Sequence, residues 1–409
     1  MSHQRGVHVA NDGILAHAER LLAGPVATRD LALAFDESSA RSTDLFVEGT
    51  SFYPRMLADI GAATSSVHIN QFGFKPGVVG NEFAALLATK ASEGVAVRLV
   101  VDGRGSDPNE RSREMYEKLS VAGVTVCVVR ATKPRVQSGP MGTDGPVRWN
   151  LTGLGHFDHR KMLIVDGSIG WVGGAGIEDH FNDGRFHDLF LRVTGPVVNQ
   201  LQLVFLASLR WLSATLPVGH LDDLFPTLDA GSDPVPALVL HNAPGRYKPI
   251  TAAITAMIEG ARDSLDITNP YVVDRGMIHR IADAARRGVR VRLFVPANAN
   301  NWACAGAQQF HHPTLLDAGV HMLEYPTMLH AKAFVRDGEE VLLGTCNLDA
   351  GSLKRFFEID IRVRSSDLAE QFESRFAAPA EQISGPGRRL SGTKPRVRAA
   401  ALAAISPLL

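Results

Sequence analysis

Apolar residues recur first at helical spacing and then in short alternating runs, and both halves of the chain repeat this order. Residues 52–69 place apolar positions at helical spacing before a short strand pattern, and residues 250–267 do the same. In each half the next helix pattern ends at a glycine, Gly94 or Gly288, and an alternating run rich in β-branched residues follows. Helices that alternate with strands predict an α/β fold with helices on both faces of a sheet.

The matched positions stay in nearly constant register, which divides the chain into two equivalent units. Ser66 corresponds to Ser264, and Gly123 corresponds to Gly319. Residues 225–245, rich in proline, glycine and aspartate, mark the passage from one unit to the next. We predict four regions: a helical N-terminal segment at 1–44, a first lobe at 45–224, a second lobe at 225–385, and a basic tail with a short apolar helix at 386–409.

One segment breaks this register. The chain from Gly123 to His159 is much longer than the corresponding chain from Gly319 to His330, so the first half carries an insertion within residues 131–158. This insertion is loop-like in composition and runs directly into a candidate chemical motif. We expect it to form the rim of a site, and a passive surface loop is the alternative.

The repeat contains two motifs with polar residues at matched spacing. Residues 159–166 read HRKMLIVD and residues 330–337 read HAKAFVRD, so both fit H-x-K-x4-D, and both lead into a glycine-rich stretch. In a strand, residues two apart share a face, so each copy can present an imidazole beside an ammonium group. Two copies in matched halves are a strong signal. The histidine–lysine pairs are His159 with Lys161 and His330 with Lys332.

Two imidazoles and two ammonium groups suit the chemistry of a phosphodiester. That chemistry needs a nucleophile, positive charge on the non-bridging oxygens and an acid for the leaving alkoxide, and these residues supply all three without a metal or cofactor. Each histidine also needs an acceptor at its other ring nitrogen to hold its tautomer. An acidic residue opens an alternating strand after each glycine turn. We expect Asp188 to orient His159 and Glu358 to orient His330.

The aspartates that close the motifs, Asp166 and Asp337, each precede a glycine near a strand end. Asp-Gly pairs favour hairpin turns, so one interpretation is that these residues brace the motif. The other is that they take part directly in catalysis.

These motifs and several longer phrases resemble the phospholipase D superfamily over nearly all of residues 45–365, and their detail is similar to the bacterial cardiolipin synthase branch. The phrases are HRKMLIVDG, FHDLFLRVTGPVV, Asn269-Pro270-Tyr271, MLHAKAFVRDG and GTCNLDAGSLKRFFE. The resemblance implies two pseudo-symmetric α/β/α sandwich lobes around one active site. It also implies a metal-free, ping-pong reaction through a phosphohistidine.

Carried onto this sequence, the resemblance implies that His159 is the nucleophile and His330 the general acid and later the base. The two motif lysines would hold the phosphate, and Asn347 would add a hydrogen-bond donor to it. Gly176 stands where the family's first motif usually has asparagine. Loss of one hydrogen bond to a charged oxygen costs ~1.5–3 kcal/mol, which slows a reaction rather than abolishing it.

Composition narrows the function classes. Hydrophobic residues make up 45% and charged residues 21% of the 409 residues, as in ordinary globular proteins. The net charge of −1 provides no general field for collecting nucleic acid, so we consider nucleic acid an unlikely partner. The cysteines, Cys127, Cys304 and Cys346, form no CxxC pair, which argues against a thiolate zinc site and a disulfide framework.

The two ends of the chain bear on location. No segment has the ~20 apolar residues of a membrane span, and the first residues lack the apolar core of a signal peptide. We therefore expect a cytoplasmic protein, with possible peripheral contact at the inner face of the membrane through the tail. Its arginines and lysine lead into an apolar stretch suited to an anionic membrane surface. The alternative is that the helix packs back on the domain. The basic residues are Arg388, Arg389, Lys394, Arg396 and Arg398.

The leading hypothesis is an enzyme that takes a phospholipid and transfers its phosphatidyl group to an alcohol or to water. A nuclease or other phosphodiesterase of the same superfamily is the second hypothesis, although aromatic-interleaved basic strips near the motifs are modest. A catalytically silent lipid-phosphate-binding protein is the third, suggested by Gly176.

Overall fold

The computed structural model describes residues 7–24, 26–106, 109–129, 135–137, 157–212 and 220–405. Its strands are β1 (Val7–Val9), β2 (Leu33–Phe35), β3 (Ser38–Ala40), β4 (Ser42–Val47), β5 (Ser66–Gln71), β6 (Ala96–Asp102), β7 (Thr125–Val129), β8 (Arg135–Gln137), β9 (Lys161–Val165), β10 (Ile169–Gly173), β11 (Phe186–His187), β12 (Leu189–Thr194), β13 (Val235–Asn242), β14 (Ser264–Thr268), β15 (Arg290–Pro296), β16 (His321–Tyr325), β17 (Met328–Leu329), β18 (Ala333–Arg336), β19 (Glu340–Gly344), β20 (Glu358–Arg364) and β21 (Gly385–Pro386).

The helices cover these strands and connect them. They are α1 (Ile14–Ala23), α2 (Gly49–Gly61), α3 (Val78–Ser92), α4 (Glu110–Val121), α5 (Val197–Leu212), α6 (Leu221–Leu224), α7 (Pro249–Gly260), α8 (Arg275–Arg286), α9 (Trp302–Asp317), α10 (Ala350–Lys354), α11 (Ser366–Phe372), α12 (Ala378–Ile383) and α13 (Thr393–Ile405). Short 3₁₀ or π turns occupy Asn11–Gly13, Thr28–Leu31, Asp179–Phe181 and Glu373–Ala377.

Each lobe is built on one mixed sheet, and the two sheets share a strand order. The first runs β4-β12-β10-β9-β5-β6-β7-β8, and the second runs β21-β16-β15-β14-β18-β19-β20-β13-β3. In each, three parallel strands (β5-β6-β7 or β14-β15-β16) adjoin an antiparallel set that carries the H-x-K motif. The predicted α/β class and the internal repeat are confirmed.

Within the described residues, three large hydrophobic cores fill the layers of helices and sheets, and a small fourth one lies between α9 and α13. One lies between the first sheet and α2–α4, and another lies between the second sheet and α7–α9. The third lies between the two sheets and takes in α1, α5 and α11. Helix α5 is mostly apolar and buried on nearly all sides because it lies inside this central core, where buried residues run from Val197 to Arg210. This layering joins the two lobes through one continuous interior.

The N-terminal segment is not the helical one that we predicted. It contains α1, but β1 pairs with β2, and β3 pairs with β13 of the second lobe. The next strand, β4, begins at Ser42 and pairs with β12 of the first lobe, so the predicted boundary at 44/45 cuts through a strand. Three-residue strands such as β1, β2 and β3 have no detectable period. Strand β3 forms because the edge of the second sheet offers β13 as a hydrogen-bond partner, whereas β1 and β2 pair with each other.

The C-terminal tail packs back on the second lobe. Strand β21 extends the second sheet beside β16, and α13 lies against α9, with Ala399, Leu402 and Ala403 buried. A Cβ on Gly306 would lie 2.3 Å from Leu402 Cδ1, so a glycine in α9 permits this close approach. The apolar face of the tail helix is therefore used in packing. Its last basic residues lie in the helix itself.

The insertion at 131–158 and the expected absence of a membrane span can be compared only with the described residues. Strand β8 extends the first sheet beside β7, but most of the insertion at 131–158 lies outside the described residues, so its predicted place at the rim stays a prediction. Among the residues described here, no helix is long and apolar enough to cross a membrane.

Candidate active site

The two H-x-K motifs meet where short β-bridges join the lobes. The His159 N–H donates to the Phe357 carbonyl at 3.0 Å, and the Phe357 N–H donates to the Phe157 carbonyl at 2.9 Å. On the other side, β11 pairs in parallel with β17, and the His330 N–H donates to the His187 carbonyl at 2.7 Å. Each histidine is thus anchored through its backbone to the opposite lobe.

The His159 ring is also held from the second lobe. Its Nδ1 lies 3.0 Å from Glu358 Oε2 and 3.1 Å from Oε1. The Thr345 hydroxyl donates to the same carboxylate at 2.6 Å, and the Ile359 N–H donates to the Thr345 oxygen at 2.9 Å, which directs the hydroxyl hydrogen toward Glu358. A carboxylate at Nδ1 draws the hydrogen of a neutral imidazole to Nδ1 and leaves the lone pair on Nε2.

The His330 ring is held from the first lobe in the same way. Its Nδ1 lies 2.8 Å from Asp188 Oδ2, and Asp188 Oδ1 accepts the Leu189 N–H at 2.8 Å. A Cβ on Gly174 would lie 2.4 Å from Asp188 Oδ1. The glycine-rich stretch after the first motif therefore leaves room for the carboxylate that holds the other lobe's histidine.

These contacts correct the predicted pairing. Glu358, not Asp188, lies against His159, and Asp188, not Glu358, lies against His330. Asp188 directly precedes β12 and Glu358 begins β20, and each of these strands runs next to the motif hairpin of its own lobe. The short β-bridges, however, place each histidine against the other lobe. The residues were identified from the repeat, whereas their neighbours depend on how the lobes dock.

Burial governs the charge of the histidine–carboxylate pairs. Burial, followed by the nearby lysines, places the pKa of both His159 and His330 well below its usual value. Burial raises the pKa of Asp188 to about 6 and that of Glu358 to about 7. The lowered pKa of the histidines and the raised pKa of the carboxylates have the same cause, because a dry environment disfavours the charged form of either partner. Without a bound anion, neutral imidazoles are favoured.

Both motif lysines are buried next to the histidines. Lys161 Nζ donates to the His159 carbonyl at 2.6 Å, and Lys332 Nζ lies 2.8 Å from His330 Nδ1. Burial lowers the pKa of Lys161 to about 8 and that of Lys332 to about 7. A bound phosphate would favour the charged form of both lysines. Anion binding would therefore increase the positive charge of the site.

The motif aspartates lie away from the histidines and stabilise turns. Asp166 accepts the backbone N–H groups of Thr64, Ser65 and Ser66 at 2.8 Å each, and Asp337 accepts those of three consecutive residues that lead into β14, the last of them Ser264. Asp166 follows the far end of β9 from Lys161, about 16 Å away at ~3.3 Å per residue. Of the two interpretations of these aspartates, the contacts favour bracing over direct participation in catalysis.

The glycine-turn position differs between the lobes. Asn347 is buried, and its Oδ1 has no hydrogen-bond partner in the described part of the chain. In the first lobe Gly176 has no side chain, and the Glu178 carboxylate fills the space: Oε1 lies 2.6 Å from where a Gly176 Cβ would stand. Lys75 pairs with Glu178 at 2.8 Å. The first lobe thus has an ion pair where the second has an amide.

Comparison with known proteins identifies this arrangement. The family described as "Cardiolipin synthase, PLD-like domain" matches residues 56–205 and 254–379, which include both H-x-K motifs. The chain belongs to this family. It is 27% identical over 355 residues to the cardiolipin synthase of Oceanobacillus iheyensis, covering 85% of this chain and 70% of that protein. It is 28% identical to cardiolipin synthase 1 of Staphylococcus epidermidis, covering 83% of this chain and 68% of that protein.

Solved structures show the same fold. The phosphatidylserine synthase of Haemophilus influenzae superposes with a TM-score of 0.67 at 12% identity, over 97% of this chain and 98% of that chain. The polyphosphate kinase of Porphyromonas gingivalis gives a TM-score of 0.54 at 14% identity, over 89% of this chain and 52% of that chain. The phospholipase D-like fold is therefore shown for the whole described chain. Within the described residues, no group of three or more histidine, cysteine, aspartate or glutamate side chains is placed to hold a metal ion.

Sequence reasoning missed the charged residues behind His159 in this phospholipase D-like protein. Asp158 and Arg160 flank the histidine and form a buried ion pair of 2.6 Å. Asp102 accepts the Asp158 N–H at 2.9 Å, and Asn70 donates to the Asp158 carboxylate at 3.0 Å. Together they hold the backbone that carries His159. The adjacent D-H-R residues were a visible signal, but their partners come from β5 and β6.

Proposed function

We propose that this protein is a phosphatidyltransferase that forms a phosphatidyl-histidine and passes the group to an alcohol. One observation carries the proposal: two imidazoles, each with its Nδ1 against a carboxylate of the opposite lobe, stand with two buried lysines at one interface. Membership in the cardiolipin synthase family supports a lipid phosphodiester as the substrate.

In the first half-reaction, His159 Nε2 attacks phosphorus. A P–N bond forms, the P–O bond to the leaving alcohol breaks, and His330 donates its Nε2 proton to the leaving oxygen. Glu358 favours the attacking tautomer of His159, while Asp188 stabilises the imidazolium form of His330. Binding of the anionic phosphodiester raises the pKa of His330 and so supplies the protonated acid.

In the second half-reaction the roles of His330 reverse. Its Nε2 takes the proton of the acceptor hydroxyl, the acceptor oxygen bonds to phosphorus, and the P–N bond breaks. Lys161 and Lys332 neutralise the non-bridging oxygens in both steps, and Asn347 lies in the same turn as Thr345 to add a hydrogen bond. Burial of the lysines and histidines limits competition from water, which supports transfer over hydrolysis.

The proposal is tested with vesicles of phosphatidylglycerol and of phosphatidylcholine, assayed for transfer and hydrolysis products with and without a chelator. We expect cardiolipin and glycerol from phosphatidylglycerol, with no loss in chelator. His159→Ala and His330→Ala should abolish turnover, whereas the exposed control His321→Ala should retain it. Turnover that survives in both active-site variants would exclude this site.

A parallel assay on single-stranded DNA tests the nuclease alternative. We expect no cleavage, because the protein has no net positive field. DNA cleavage that depends on His159, together with inert phospholipid vesicles, would replace the lipid proposal. Peripheral contact with the inner face of the cell membrane is part of the same proposal, since the substrate resides in a bilayer.

A further inference from the structure

A second polar cavity lies on the second lobe, away from the paired histidines. It has a volume of about 520 Å³ and is bounded by the loop after β15, helix α9 and the tail helix α13. Lys394 and Arg398 of α13 line it, together with Trp302 and His312 of α9. No part of the proposed reaction uses these residues.

The charge of this cavity is positive. Lys394 and Arg398 are exposed, and neither has a carboxylate within ion-pair distance among the described residues. Glu324 also lines the cavity, but Arg388 already neutralises it with a contact of 2.5 Å. The Arg398 guanidinium lies 5.8 Å from the centre of the Trp302 ring. An anion entering the cavity therefore meets two cations that have no competing partner.

A buried imidazole adds a second, independent indication of a ligand. His312 is 3% exposed, and its Nδ1 lies 2.9 Å from the Arg388 carbonyl, which requires the hydrogen on Nδ1. Its Nε2 has no hydrogen-bond partner in the described structure. A buried imidazole nitrogen without a partner costs free energy unless a bound hydroxyl or other donor satisfies it. A ligand that carries both an anionic group and a hydroxyl would satisfy the cavity.

Exposed apolar side chains lie on the two helices, α9 and α13, that bound the cavity. Trp302 is 66% exposed and Val397 is 63% exposed, and Ile405 at the end of α13 is 46% exposed. Tryptophan favours the membrane–water interface, and lysine and arginine beside it favour anionic headgroups. The loop that leads into α9 also contacts the active-site side: the Asn300 N–H donates to Met328 Sδ at 3.4 Å, in the strand just before His330.

We propose that this cavity binds the phosphate and headgroup hydroxyls of an anionic phospholipid, and that it docks the second lobe on the membrane surface. The ligand chemistry, a phosphate with hydroxyls, is also that of soluble glycerol phosphate. The choice of a lipid as its source rests on the proposed function.

Co-sedimentation of the full chain with phosphatidylglycerol vesicles tests the proposal. Lys394→Gln combined with Arg398→Gln should weaken binding by about 25-fold, at about 5-fold per basic residue near an anionic surface. The matched control, Arg113→Gln combined with Lys118→Gln, removes the same charge from exposed positions on α4 of the first lobe and should change binding by less than about 2-fold. Trp302→Ala should weaken binding in the same direction as the tail pair.

Equal losses in the two pairs, or no loss in the tail pair, would overturn the proposal. A calorimetric titration with glycerol phosphate separates the sources: binding of glycerol phosphate that depends on Lys394 and Arg398, with unchanged vesicle binding, identifies a soluble phosphate ligand and refutes lipid docking. The proposed function fails differently. Vesicle binding that requires the cavity, with no turnover of any phospholipid, refutes the reaction and leaves the docking site standing.

Discussion

The substitution Asp188→Asn reverses one hydrogen bond at His330 while keeping the size of the side chain. Asp188 Oδ1 accepts the Leu189 backbone N–H at 2.8 Å, and Oδ2 lies 2.8 Å from His330 Nδ1. A backbone N–H cannot become an acceptor, so the asparagine oxygen takes the Oδ1 position and the NH₂ group faces His330. The NH₂ group then donates to Nδ1, and the neutral ring must carry its hydrogen on Nε2.

This tautomer cannot act as the general base, because Nε2 has no lone pair. The imidazolium also loses a charge-assisted hydrogen bond worth ~1.5–3 kcal/mol, which corresponds to about 10- to 150-fold in rate. The comparable change in serine-protease triads, which also imposes the wrong tautomer, costs about 10⁴ in kcat. We expect the second half-reaction to slow by about 10²- to 10⁴-fold.

A p-nitrophenyl phosphodiester separates the half-reactions, because its leaving group departs without a proton. Rapid mixing of Asp188→Asn enzyme should show a nitrophenolate burst of one equivalent, followed by slow turnover, and mass spectrometry should find the adduct on His159. The control Asp59→Asn removes a buried carboxylate that accepts from Trp171 and pairs with Arg192. It should lower Tm without producing a burst.

Two outcomes would refute the reasoning. Turnover at the wild-type rate in Asp188→Asn would mean that the carboxylate does not position His330. Loss of both burst and adduct would mean that His330 is the nucleophile, because its imposed tautomer cannot attack phosphorus.

Three further predictions follow from other contacts. Gly176→Asn should destabilise the fold by about 1–3 kcal/mol, because its Cβ would overlap the Glu178 carboxylate and lie 2.9 Å from the Gly73 carbonyl oxygen. Adding Glu178→Gly should recover only part of that loss in chemical denaturation, since the Gly73 contact remains; equal stability of the single and double variants would show that Glu178 does not contribute to the clash. Burial raises the pKa of Asp166, but the backbone N–H groups of Ser66, Ser65 and Thr64 outweigh it and lower the pKa overall. Its stabilisation is therefore present above the unfolded pKa of about 3.9 and is lost as pH falls through the lower folded value. Asp166→Asn should lower Tm at pH 7 more than at pH 3, with an unchanged KM at a temperature where it is folded. The pKa values of about 7 for Lys332 and about 8 for Lys161 predict that sulfate inhibits less as pH rises from 6 to 9, and Lys332→Met should flatten that profile. An unchanged slope would show that Lys332 does not hold the anion.

Several features were predictable because they depend on short-range patterns. The alternation of helices and strands, the repeat and both H-x-K motifs are all visible within windows of a few tens of residues. Asp188 and Glu358 were found as candidates because they occupy equivalent positions in the two halves. The motif aspartates had two open interpretations, and the N–H groups before β5 and β14 decide between them.

Other features depend on contacts between segments far apart in the chain. Strand β3 is too short to show a period of its own. Strands β3 and β4 form where the edges of the two sheets lie beside them. The tail helix packs its apolar face against α9, where the missing side chain of Gly306 leaves room for Leu402. The composition of either segment alone does not predict that the two will be in contact.

The sequence by itself determined the α/β class, the two equivalent lobes and the chemical groups of the site, since helical and strand periods and motif spacings are local properties. Only the tertiary structure decided that Glu358 serves His159 and Asp188 serves His330. A repeat shows which residues are equivalent. Which of them touch depends on the packing of two sheets around a shared core, where short bridges pass each histidine to the opposite lobe.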